Sequence, residues 1–129
     1  MEVKTHRIII QTGNGIVHGK YCKNEDPSAP VALVLPSHPS TGMKMDNIVI
    51  YNLFHLFKEA GMSVLRIDYQ ENQKIDPKNQ YSLDEMMVDA YDAMQWLYDT
   101  HQDASHFCVA SFSVGANLVF NLISRRPEI

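Results

Sequence analysis

The chain has 129 residues, 45% of them hydrophobic and 20% charged, and a formal net charge of -4. This composition is ordinary for a globular protein, and the length predicts at most one domain in residues 1–129. The acidic balance gives no electrostatic reason to expect nucleic acid or an anionic membrane surface as a partner.

The first part of the sequence predicts three strands. Residues 7–21 contain two β-prone runs around Asn14-Gly15, and Asn-Gly favours a hairpin turn because both residues tolerate positive φ. A polar loop follows. The apolar run Val31–Leu35 then predicts a strand that is buried on both faces, as in a parallel sheet covered by helices.

Helices and strands alternate in the rest of the chain. Helical spacing of apolar residues predicts a helix over 46–60, and a strand over 63–69 follows it. Ser82 opens a second helix with a capping-box pattern, residues 107–110 form another apolar strand, and a third helix is predicted over 114–124. A hairpin followed by βαβ units predicts an α/β fold with a mostly parallel sheet and right-handed crossovers.

A serine motif stands where the last predicted strand meets the third helix. The sequence Ser111-Phe112-Ser113-Val114-Gly115 is close to the Gly-x-Ser-x-Gly nucleophile elbow, in which a tight turn lifts the serine hydroxyl clear of the sheet. Ser113 is therefore the candidate nucleophile, and the backbone N–H of Val114 is the candidate oxyanion-hole donor. The alternative is a polar helix cap, with Ser111 or Ser113 as the N-cap.

Two separated motifs carry a resemblance to a known family. The matching residues are His38, Pro39, Gly42, Met45 and Asn47 in the loop after the third strand, and Phe112, Ser113, Gly115 and Ala116 in the elbow. On these residues the chain resembles the N-terminal half of small bacterial serine hydrolases of the α/β-hydrolase superfamily, which carry a His-Pro-His-Pro type loop and a Gly-x-Ser-x-Gly elbow. It departs from them at Pro36, at Ser111 and over 70–74, where a glycine-rich stretch is usual.

The resemblance implies a serine-nucleophile hydrolase of esterase or acyl-hydrolase type, with a small-molecule ester or acyl substrate and no cofactor. It also implies that the loop after the third strand supplies a second oxyanion donor. Pro39 has no N–H and cannot donate, so Ser40 is the candidate. His38 and Gly42 are expected to shape this loop beside the pocket.

The other members of a catalytic triad are not evident. In the hydrolase fold the acid and the histidine follow the nucleophile along the chain, yet residues 114–129 hold Glu128 and no histidine. We therefore expect a chain truncated after the elbow helix and inactive by itself, because a serine without a base is a weak nucleophile. His38 as base and Asp68 as acid are alternatives, and for Asp68 a role as a turn or cap carboxylate is favoured.

Functions of two other classes stay open. The chain can be an inactive fragment or interaction module that self-associates through the exposed apolar edge of its last strand. It can also be a flavodoxin-type ligand module, although Pro36 and Pro39 remove N–H groups that a phosphate-binding loop needs.

Cysteine and histidine positions predict neither a metal site nor a disulfide framework. Cys22 and Cys108 are far apart in the sequence, which favours a reducing compartment. Histidines outside the Pro36–Asn47 loop region, among them His101, are expected at surface or capping positions. No apolar stretch is long enough for a secretory signal or a membrane span, so we expect a cytoplasmic location and no membrane partner.

Overall fold

The computed structural model describes residues 5–13, 15–36, 45–68 and 83–111. Five strands and two helices lie in these ranges. In chain order they are β1 (His6–Thr12), β2 (Gly15–Cys22), β3 (Val31–Leu35), α1 (Ile48–Glu59), β4 (Ser63–Asp68), α2 (Leu83–Thr100) and β5 (Phe107–Ser111). The helix predicted over 114–124 lies outside the described residues.

The N-terminal hairpin is formed as predicted. β1 and β2 pair antiparallel, and the register begins with Thr12 opposite Gly15. Gly15 has a φ of 135°, a conformation that glycine adopts without steric cost and that other residues rarely take. Gly15 is thus the first residue of β2 and pairs directly with Thr12, the last residue of β1.

The described strands form one sheet in the order β1-β2-β4-β3-β5. β2 pairs antiparallel with β4, whereas β3 pairs parallel with both β4 and β5. Parallel neighbours need a crossover connection, and α1 supplies it between β3 and β4 while α2 lies between β4 and β5. The prediction of a hairpin followed by parallel βαβ units is confirmed. The sheet is mixed because the hairpin strand β2 pairs antiparallel with β4, whereas β3, β4 and β5 run parallel.

Each helix covers one face of the sheet, which divides the hydrophobic core in two. The α2-side core contains Ile10, Val17, Tyr21, Val31, Leu33, Leu35, Leu65, Ile67, Met86, Met87, Ala90, Ala93, Met94 and Leu97. The α1-side core contains Cys22, Ala32, Val34, Met45, Ile50, Phe54 and Val64. Alternate residues of β3 enter the two cores because successive side chains of a strand point to opposite faces. The strand is therefore buried along its whole length, as its apolar run predicted.

Both ends of α1 are fixed by local hydrogen bonds. Asn47 is the N-cap, and its Oδ1 accepts a hydrogen bond from the Val49 N–H at 3.0 Å. At the other end the N–H of Gly61 donates to Lys58 O and that of Met62 donates to Phe57 O, both at 3.1 Å. This is the Schellman pattern, and Gly61 takes the positive φ of 86° that it requires. The helix is thus slightly shorter than the predicted 46–60, because Asn47 caps it from outside.

Candidate active site

The candidate active site lies where parallel strands end. The carboxyl ends of β3, β4 and β5 share one edge of the sheet, and open α/β sheets bind their ligands at this edge. In the register of β3 with β5, Leu35 stands opposite Ser111. The chain segments that follow these two residues therefore leave the sheet from neighbouring strands at the same level.

The predicted site residues follow directly on these two strand ends. Ser113 and Val114 come two and three positions after the last residue of β5, and the loop with His38, Ser40 and Gly42 begins beyond Pro36. All five lie outside the described residues, so their roles stay predictions. The structure describes the strands that lead to them, and it brings those strands together.

Ser111, the first residue of the serine motif, is also the last described residue. It ends β5 and is half-buried, and β5 extends one residue beyond the predicted 107–110. A small residue at this position is what the elbow motif requires, since strand and helix must approach closely there. The strand that the motif needs on its N-terminal side is therefore present.

The carboxyl end of β4 holds the end of the β3–α1 loop. Asp68 is the last residue of β4, and its Oδ1 accepts a hydrogen bond from the Met45 N–H at 2.6 Å. Arg66, two positions earlier on the same face of the strand, donates from a terminal guanidinium nitrogen to the Met45 carbonyl oxygen at 3.0 Å. The contact of Asp68 with a backbone N–H agrees with the role as a turn or cap carboxylate that the sequence favours over a catalytic acid.

Arg66 is a buried cation with aromatic and acidic neighbours. It is 3% exposed, and its guanidinium carbon lies 4.7 Å from the centre of the Phe54 ring and 5.1 Å from that of Tyr51. Burial lowers the pKa of Arg66, and the nearby Asp46 carboxylate, 3.7 Å away, opposes this shift. A hydrogen bond from Lys20 at 2.8 Å lowers the pKa of Asp46, so this acid is held ionised. The sequence pattern gave no sign that a charged residue inside β4 would be buried.

A second buried polar pair lies away from this edge. His101 is 5% exposed, and its Nε2 lies 2.6 Å from the Tyr21 hydroxyl, a hydrogen bond between buried side chains. Burial lowers the pKa of His101 and raises that of Tyr21 to about 12. The surface position expected for His101 is therefore wrong, whereas the capping alternative fits, because His101 directly follows α2 and its N–H donates to Leu97 O at 2.8 Å. The turn after His101 meets the amino end of β3, where the Val31 N–H donates to His106 O at 3.0 Å, so this pair takes no part in the candidate site.

Neither cysteine lies in an environment that favours a reactive thiolate. Cys22 is buried and Cys108 is half-buried, and burial raises the pKa of both thiols. Within the described ranges the side chains of His, Cys, Asp and Glu form no group of three that could hold a metal ion. Neither α1 nor α2 has the length and apolar character that a helix needs to cross a bilayer.

Comparison with known proteins relates the chain to hydrolases. No family model matches the sequence. An uncharacterized protein of Rickettsia prowazekii is 36% identical over 115 residues, which are 89% of this chain and 48% of that protein. A crystal structure from Agrobacterium tumefaciens, of a protein of unknown function assigned as a candidate α/β-hydrolase, is 34% identical with a TM-score of 0.83, and the match covers 96% of this chain and 56% of that one.

More distant solved structures have the same fold. Dienelactone hydrolase from Anabaena variabilis has a TM-score of 0.83 at 16% identity, covering 99% of this chain and 60% of that one. A Pyrococcus furiosus esterase has a TM-score of 0.79 at 17% identity, covering 98% of this chain and 48% of that one. The chain thus spans about half the length of the proteins that it matches.

Proposed function

Because the chain has the fold of the N-terminal half of an α/β-hydrolase, we propose that it carries the nucleophile of a serine hydrolase for small ester or acyl substrates. Ser113 is the nucleophile in this proposal. The neighbours named as α/β-hydrolases and esterases support the reaction class, and they match this chain along about half of their own length. The substrate class is inferred from the same neighbours.

The pairing of β3 with β5 is the observation that carries the proposal. It brings together the ends of the two strands that precede the Ser113 and Ser40 segments, with Leu35 opposite Ser111. An acyl-transfer site needs a nucleophile within about 3 Å of a position that oxyanion donors can also reach. Two segments that leave adjacent strands at the same level can supply both groups over a short distance.

The proposed roles follow from the chemistry of a tetrahedral intermediate. The Ser113 hydroxyl attacks the substrate carbonyl carbon, and the carbonyl oxygen becomes an oxyanion. Backbone N–H groups of Val114 and Ser40 are proposed as its donors, since donors fixed in advance lose no reorganisation energy at the moment of reaction. His38 and Gly42 belong to the same loop as Ser40 and are proposed to shape it beside the substrate.

Activation of Ser113 needs a base. Residues 114–129 hold Glu128 and no histidine, whereas the acid and the base of this fold follow the nucleophile along the chain. We therefore propose that the base and acid that activate Ser113 come from outside residues 1–129.

An interaction module without turnover is the second candidate function. Among the described strands β5 stands at one edge of the sheet, with backbone groups on one side open to pairing. In this case the chain self-associates, or pairs with another chain, through β5. Size-exclusion chromatography over a range of concentrations measures this directly.

A fluorescent phosphonate probe tests the hydrolase proposal. The chain is incubated with the probe alone and after mixing with the second half of the Agrobacterium protein, and circular dichroism confirms that it is folded. We expect labelling only in the mixture, where it is lost in Ser113→Ala and kept in the matched control Ser111→Ala. If the folded chain stays unlabelled in both conditions, the hydrolase proposal is wrong and the interaction module is favoured.

A further inference from the structure

We propose that Arg66 and Asp68 are positioning residues that hold the backbone of Met45, and through it the end of the loop that carries Ser40. This proposal rests on the proposed role of Ser40 as an oxyanion donor. We call Met45, Arg66 and Asp68 together the Met45 clamp.

The clamp holds both polar backbone groups of one residue. The Met45 N–H donates to Asp68 Oδ1 at 2.6 Å, and the Met45 carbonyl oxygen accepts from Arg66 at 3.0 Å. The Met45 side chain is itself buried in the α1-side core. A residue held by its N–H, its carbonyl and its side chain has little freedom to rotate about its backbone dihedrals.

Arg66 is fixed in turn by what surrounds it. The rings of Tyr51 and Phe54, one helical turn apart on α1, lie 5.1 and 4.7 Å from its guanidinium carbon. Asp46 Oδ1 is 3.7 Å from the guanidinium nitrogen that bonds Met45 and 2.8 Å from Lys20 Nζ. A planar guanidinium held against two rings presents its donors in a fixed direction.

At Met45 the clamp joins the end of the loop after Pro36 to the end of β4 and to the start of α1. Asp46 and the N-cap Asn47 follow Met45, and the Tyr51 N–H donates to Asn47 O at 2.8 Å in the first turn of α1. The loop after Pro36 therefore leaves the sheet from β3 and comes to the end of the neighbouring β4 at Met45. The loop therefore starts from β3, and its far end at Met45 is hydrogen-bonded to the neighbouring strand β4.

Burial of an arginine favours a positioning role over a role in stability. Taking a charge out of water is costly, and an apolar side chain of similar volume is often neutral or stabilising in such a place. A catalytic N–H, in contrast, must be placed to within about 0.5 Å, and such groups are usually supported by hydrogen bonds from a second layer of residues. The cost of burying Arg66 is explained if Arg66 helps to place the loop that carries Ser40.

Amide hydrogen exchange tests the clamp without reference to catalysis. In Asp68→Ala the Met45 amide loses its acceptor, and we expect its exchange, followed by NMR, to be about tenfold faster, the ratio for one lost hydrogen bond. Asp68→Asn keeps an oxygen acceptor and is expected to retain most of the protection. The control Thr12→Val removes the buried 2.7 Å bond to Asp89 on the other face of the sheet and leaves the Met45 amide unchanged.

The phosphonate labelling rate tests the positioning role. We expect the maximal labelling rate constant of Ser113 to fall about tenfold in Asp68→Ala, with little change in the probe concentration that gives half the maximal rate, and to recover in Asp68→Asn. Arg66→Lys keeps the positive charge and loses the planar guanidinium. It replaces Asp68→Ala as the test variant if Asp68→Ala does not fold.

The two measurements separate failure of the clamp from failure of the proposed function. Unchanged Met45 exchange in Asp68→Ala contradicts the clamp, whatever the labelling shows. Faster Met45 exchange with an unchanged labelling rate would mean that Asp68 makes only a structural contact with Met45, and this result contradicts the positioning role. If no variant and no wild-type sample is labelled, the proposed function fails, and the exchange data still decide whether Asp68 holds Met45.

Discussion

The two faces of the sheet are built differently. On the α2 face, strands and helix meet mainly through hydrocarbon, with the Met-rich stripe of α2 against Leu33, Leu35 and Leu65. Among the described residues, the α1-side core has half as many buried members as the α2-side core, and it adjoins the buried Arg66 and its partners. Buried polar pairs occur on the α2 face as well, Thr12 with Asp89 and Tyr21 with His101, but the contacts that hold the Met45 backbone lie on the face whose loop precedes α1. If the Met45 clamp acts as proposed, the α1 face sets the geometry of the candidate site, while the α2 face carries the larger of the two described apolar clusters.

Core truncations on the two faces should give the largest effects. Leu97→Ala on the α2 face and Ile50→Ala on the α1 face each remove a fully buried side chain, and each should lower the free energy of unfolding by about 2–5 kcal/mol in urea denaturation. Met45 packs in the same cluster as Ile50 and in a different cluster from Leu97. Amide exchange at Met45 should therefore be faster in Ile50→Ala than in Leu97→Ala at equal global stability. Equal exchange at the Met45 amide in both variants would contradict the proposed division between the two faces.

The regular elements could be predicted because their signals are local. The apolar run Val31–Leu35 matches β3 at both ends, and Asn14-Gly15 marks the hairpin turn. Asn47 and Gly61 set the ends of α1 by hydrogen bonds within a few residues. Each of these features depends on side chains close together in sequence, which a pattern of residue types can capture.

The features that could not be predicted depend on residues far apart in sequence. Nothing in residues 63–68 shows that β4 enters between β2 and β3, and that insertion is what brings Lys20 beside Arg66. Burial of Arg66 depends on rings that come from α1, and burial of His101 depends on Tyr21, 80 positions earlier. A charged or titratable residue read alone is assigned to the surface, because such residues are rarely fully buried without partners.

Titration of His101, on the α2 face, should change the free energy of unfolding by an intermediate amount. This change should be larger than the one from His55 on the α1 face. Burial lowers the pKa of His101 in the folded chain, so the unfolded chain binds the proton more readily, and the stability contributed is present above about pH 6.5 and lost as the pH falls below it. His101→Gln should flatten the fall in the free energy of unfolding between about pH 7 and pH 5. The pKa of His55 on α1 is lowered by the same cause, but its ring is only half-buried, so His55→Gln should flatten the curve less. A larger effect from His55 would reverse the comparison.

Loss of the Lys20–Asp46 ion pair should give the smallest effect. Asp46 is 60% exposed, and exposed pairs contribute about 0.2–1 kcal/mol, so Lys20→Gln should change the free energy of unfolding by less than about 1 kcal/mol. The change should shrink further in high salt, which screens exposed charges. Urea denaturation at low and high salt measures both. A larger, salt-independent loss would mean that Lys20 belongs to the Met45 clamp rather than to its surroundings.

The pairing of β3 with β5 also limits how this protein can change length during evolution. Val31 to Leu35 stand one-to-one opposite Phe107 to Ser111. One residue inserted in β5 would turn every later side chain of the strand to the other face, and two would restore the face but advance it by about 6.6 Å along β3. If Ser113 and Ser40 act together as proposed, either insertion would displace the serine relative to the neighbouring segment. Insertions and deletions should therefore collect in the 23–30 loop, between the hairpin and β3, where the sheet register does not depend on the number of residues.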